Sequence, residues 1–223
     1  MELLNFITLF GTCIIVISFF VALFFIKRKK PQYYRYIFLF LFLGILLSSN
    51  TIANHASAWL LNRKKSILIE QLLLLFQSLL LGLFFLEILK KSIFAKKIKW
   101  LLFLMIFIQF ILLFVVHLAN VEIRSNIVSN LILLIFCFFY FRNLMKNEPT
   151  LILVRSSAFW IVIGILFSSC IGAPVITLVQ FIPKNQEYIN LRSQIFSIFN
   201  ISLIILYLFI IKSYLCLRHP QNL

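Results

Sequence analysis

The sequence contains no aspartate and only six glutamates, Glu2, Glu70, Glu87, Glu122, Glu148 and Glu187, in 223 residues. Acids so few and so far apart make a carboxylate pair for acid–base or two-metal chemistry hard to assemble. The three histidines, His55, His117 and His219, are scattered and match no zinc-site spacing. There is no GxSxG elbow, HExxH helix or P-loop, so no enzyme signature is visible and no cofactor is expected. Cys13, Cys137, Cys170 and Cys216 are dispersed without CxxC or Cys/His spacing. They read as small core residues rather than as a disulfide framework or metal site.

What the chain has in abundance is apolar surface. It is 63% hydrophobic and 12% charged, with 27 phenylalanines and a mean hydropathy of +1.07. No aqueous core uses that much, and the composition lies far outside that of soluble domains. A formal charge of +15 raises the question of nucleic acid. The basic residues, however, sit in short connections between apolar runs, where they anchor helix ends. Lipid bilayer contact explains them, attraction to anionic lipid head groups at the basic loops follows, and no nucleic acid is expected.

The clearest run is Ser66 to Leu89, preceded by Arg63, Lys64 and Lys65 and followed by Lys90 and Lys91. A hydrocarbon core of about 30 Å takes roughly 20 helical residues. Runs of this kind predict an all-α polytopic integral membrane protein. Its single domain, residues 1–223, holds seven transmembrane helices at about 3–26, 36–54, 66–89, 100–118, 125–141, 158–181 and 193–211. The fifth is the shortest and opens on a polar turn. The sixth contains Pro174, where a kink is expected rather than a break.

Orientation follows from counting. Span 1 is followed, not preceded, by Lys27 to Lys30, the reverse of a secretory signal peptide, so it is expected to stay with its N-terminus outside. Seven alternating spans then put fifteen of the 21 Lys/Arg on the inner side, and the positive-inside rule favours N-out, C-in in a bacterial cytoplasmic membrane.

With the spans so placed, their polar residues fall in the outer half. Asn54 and His55 end span 2, Glu70 and Gln77 lie in span 3, Asn130 in span 5 and Asn200 in span 7. Asn50 and Asn54, Asn126 and Asn130, and Ser193, Ser197 and Asn200 each recur at helical spacing and form one stripe per helix. Two readings stand. The stripes line an outward-facing polar crevice for a ligand, or they are hydrogen-bond glue between helices. Glu70 likewise pairs with His55 as a functional acid, or simply with Lys64 or Lys65.

Seven spans resemble rhodopsins, yet span 7 has no mid-membrane lysine for a retinal Schiff base. The segment SAFWIVIGILF, Ser157 to Phe167, followed by IFSIFNISLIILY, Ile195 to Tyr207, resembles an uncharacterised family of small seven-span inner-membrane proteins common in Bacteroidota. Phe159, Trp160, Ile161, Gly164 and Leu166 match its first motif, and Ile195, Asn200, Leu206 and Tyr207 its second. Phe167, Phe196, Ile204 and Gln77 replace more polar or more charged family residues. The resemblance implies a fold and a membrane location rather than an activity. The function expected is a sensory or protein-interaction module with a membrane or cytoplasmic protein partner; the alternative is a small transporter or channel for a polar solute.

Overall fold

The computed structural model describes residues 2–25, 31–56, 63–115, 121–147, 156–183 and 186–216. Seven α-helices run through them: α1 (Glu2–Phe24), α2 (Tyr33–Ala56), α3 (Arg63–Ile88), α4 (Ala95–Val115), α5 (Val121–Asn147), α6 (Ser157–Phe181) and α7 (Ile189–Cys216). There is no strand among the described residues. In lipid every backbone N–H and C=O must be paired within its own segment, and these unbroken Leu, Ile and Phe runs do so as helices. The expected all-α class holds. Five helices, α1, α3, α5, α6 and α7, are long and apolar enough to cross a membrane. The chain is thus a multi-pass membrane protein. In α2 the apolar part is Tyr33–Ser49; in α4 the first turn carries Lys96, Lys97 and Lys99.

Helices α2, α5 and α7 overrun the predicted spans at both ends, α5 most of all. The shortest span expected, 125–141, is part of a 27-residue helix. Hydropathy marks only the apolar centre, whereas the backbone continues helical through Arg142, Asn143 and Lys146. In α6 the helix also runs on past Pro174.

Two compact units divide the described chain. One holds α1, α5 from Leu133 onward, α6 and α7. Here α7 packs on both α1 and α6. Thr8 meets Asn200 near the start of α1 and α7, and Phe25 meets Tyr214 near their ends, so these two helices run parallel. Trp160 stacks on Phe209 at 5.7 Å, and Gly164 faces Leu206, so α6 runs antiparallel to α7. Gly164, Ser168 and Gly172 recur every fourth residue and are buried, the small-residue spacing that lets membrane helices approach closely. A methyl at Gly164 would lie 2.9 Å from the Phe209 Cβ and 3.4 Å from the Leu206 carbonyl oxygen.

The other unit holds α2, α3, α4 and α5 up to Ile132. In it α3 packs on both α2 and α4. Tyr33 meets Phe84 edge-on, and Gly82 faces Leu102 while Ser78 reaches Gln109. Both neighbours therefore run antiparallel to α3. In the turn before α4 the Ser92 Oγ accepts from the Phe94 N–H at 3.2 Å.

Beside the buried apolar core, many large apolar side chains stay on the outside. Only 22% of the apolar stretch of α1 is buried, against 56% for α6. Large apolar side chains left outside are covered by lipid. On α4 the outward face reads Trp100, Phe103, Leu104, Phe107, Phe110 and Ile111, while Ile98, Leu102, Met105 and Gln109 face inward. Both sets follow the helical repeat.

Candidate functional site

The most concentrated polar chemistry in the interior lies where α3, α4 and α5 meet. Gln109 is 3% exposed, Ser78 5% and Ser129 8%. The Gln109 Nε2 donates to the Ser78 Oγ at 3.0 Å and to the Ser129 Oγ. The Ser78 hydroxyl in turn donates to the Leu74 carbonyl at 2.7 Å. One carboxamide thus ties three helices together. A lone glutamine in hydrocarbon carries a heavy desolvation cost, and two serine hydroxyls that accept its N–H groups, one of them donating on into its own helix, offset it.

The residues singled out from the sequence surround this junction unevenly. Gln77 and Asn130 are half-buried, each one residue along from a buried serine. One residue is a 100° step around the helix. Because Ser78 and Ser129 share one carboxamide, Gln77 and Asn130 lie at the same level of α3 and α5. Glu70 is half-buried two turns nearer the start of α3, and Asn126 is half-buried one turn before Asn130. The side chains of Asn54 and His55 lie outside the described residues, as do those of Lys64 and Lys65, so the proposed Glu70 pairings fall there too.

Asn200 belongs to the other unit. Its Nδ2 donates to the Thr8 Oγ1 at 3.4 Å, joining α7 to α1. Ser197, on the same stripe, is buried and donates to the Ser193 carbonyl at 2.9 Å. Here the stripe serves helix association. The same back-bonding satisfies Ser18, Thr177 and Ser202, whose hydroxyls donate to carbonyls of their own helices.

Toward the Lys-rich end of the α2–α4 unit the interior is apolar and closely filled. Leu81, Phe84, Phe85, Leu89, Ile98, Leu102 and Met105 are all buried, together with Ile37 and Leu41 of α2. No buried polar side-chain atom is without a hydrogen bond among the described residues. No group of His, Cys and Glu able to hold a metal ion occurs among them.

Gln109 went unnoticed in the sequence because it is a single polar residue inside ILLF-type runs. The signal was its register: it falls four and seven residues after Met105 and Leu102, opposite the Trp100, Phe103 and Phe107 face. No protein-family model, curated protein or solved structure matches this chain.

Proposed function

We propose that this chain is a seven-span bacterial membrane module, N-out and C-in, that works by sensing or contacting a partner rather than by conducting a solute. The observation that carries this reading is the polarity gradient inside the α2–α4 unit. Half-buried Glu70, Gln77, Asn126 and Asn130 lie on α3 and α5 at the level of the Ser78–Gln109–Ser129 junction or nearer the helix starts, and a packed apolar block fills the unit toward its Lys-rich end. Polar groups at this depth are the chemistry that an outward-facing recess for a polar solute requires. A hydrated path through this unit would have to displace Phe84, Phe85 and Met105, all fully buried.

Seven crossings are supported by helix direction. The parallel course of α1 and α7 requires an odd number of spans, and α2 and α4 run alongside α3, antiparallel to it. Membership of the small seven-span family rests on the Phe159 to Leu166 and Ile195 to Tyr207 segments and is part of the same proposal.

The test is a solute screen on the purified chain, read as thermal stabilisation in detergent and as flux in proteoliposomes. A stabilising polar solute whose effect saturates, disappears in Glu70→Ala, survives in Asn200→Ala and is not accompanied by flux is the expected result. Flux that saturates with the same solute would replace this reading with the transporter. A screen with no Glu70-dependent solute would remove the recess as a binding site.

A further inference from the structure

The end of the α2–α4 unit opposite the polar recess carries a dense cluster of cations. Lys90, Lys91, Lys96, Lys97 and Lys99 are all exposed within ten residues, and Arg35 is exposed at the adjoining start of α2. The nearby acid Glu87 is taken by Lys90 at 2.5 Å. The first turn of α4 contains lysines and no acidic residue. This is the wrong sign for a helix start, where the backbone dipole favours negative charge. Repulsion of this kind is relieved by a bound anion.

The stripe below the lysines says which anion. Lys96 and Lys97 precede Trp100 by four and three residues and so stand on its face of α4. Trp100 is 74% exposed, and below it Phe103 and Phe107 continue the same face with rings 6.2 Å apart. Ile93, in the turn before α4, is also 74% exposed. Cation, indole, then apolar rings down one helix face is the order of a bilayer leaflet: phosphate, interface, acyl chain. A soluble acidic partner or free phosphate matches the lysines alone and leaves the Trp100–Phe107 stripe unexplained.

We propose that this end of the unit binds the head groups of anionic phospholipids, with Lys96, Lys97 and Lys99 as the contacting cations and Trp100 seated at the interface. The site depends only on the chain lying in a bilayer. It stands or falls independently of the polar recess.

The experiment titrates the purified full chain with phosphatidylglycerol, phosphatidylcholine or inorganic phosphate and counts retained lipids by native mass spectrometry at low salt. Phosphatidylglycerol is expected to bind more tightly than phosphatidylcholine. Each lysine removed should weaken it about fivefold, so that Lys96→Gln, Lys97→Gln and Lys99→Gln together weaken it roughly a hundredfold. The three Lys→Arg substitutions should retain binding. Neutralising Arg142 and Lys146, exposed cations of the other unit, should leave this component in place. If the triple Gln variant does not fold, the single variants carry the fivefold test. Equal affinity for the two lipids, no loss in the Gln variants, an equal loss on neutralising Arg142 and Lys146, or full displacement by inorganic phosphate would each overturn the proposal.

Discussion

Replacing Gln109 by leucine tests what the buried junction contributes. The change removes a carboxamide that donates to Ser78 and Ser129 and keeps most of its volume. Neither serine is stranded, because Ser78 still donates to the Leu74 carbonyl at 2.7 Å and Ser129 has a further contact. Side-chain hydrogen bonds between membrane helices average about 0.6 kcal/mol and reach about 1.7. Two of them put the expected loss for Gln109→Leu at about 1 kcal/mol. Gln109→Glu places a charge at the same point and should cost about 2.5 kcal/mol or more. The assay is reversible unfolding in mixed detergent and SDS micelles, followed by far-UV circular dichroism, with Ser78→Ala completing a double-mutant cycle. A coupling of about 0.6 kcal/mol is expected. Gln109→Leu as stable as the parent, with no coupling to Ser78, would refute the view that the network binds these helices. A well-tolerated Gln109→Glu would mean that the carboxyl is held neutral or that water reaches the junction.

Three further perturbations bear on the rest of the fold. Gly164→Val should destabilise the α6–α7 pair by about 1–3 kcal/mol through overpacking against Phe209 and Leu206; the same micelle unfolding assay checks it, and unchanged stability would contradict the close helix approach. Thr8→Val should cost no more than about 1 kcal/mol, since its contact with Asn200 is long at 3.4 Å. Glu87→Gln should shift the unfolding midpoint little, because its partner Lys90 is half-exposed and water screens the pair.

Much of the fold was legible because lipid imposes one simple rule. Runs of about 20 apolar residues between basic turns become helices, and the chain forms seven helices over the described residues. Helix ends were harder to see, since hydropathy says nothing of a backbone that stays helical through Arg142 to Lys146. The interior face was harder still. In water, apolar residues point inward; here the most conspicuous ones, Phe103, Phe107 and Phe110 on α4, point out, and a sequence does not distinguish a lipid face from a core face by polarity alone. Ranking residues by polarity drew attention to Gln77 and Asn130. The smaller neighbours Ser78 and Ser129 are the ones that reach Gln109, because a serine side chain is short enough to fit a close three-helix contact. Asn200 was visible as part of a stripe, but its partner Thr8 lies nearly the whole chain away and no spacing rule links them.

The proposed function requires that polar groups and water share one end of the α2–α4 unit while the other end excludes water. Single cysteines in a cysteine-free background, labelled from outside intact cells with an impermeant thiol reagent, measure this directly. Labelling is expected at positions 70, 77 and 130 and none at 85 or 105. Protection at all of 70, 77 and 130, or labelling at 85 and 105, would contradict it.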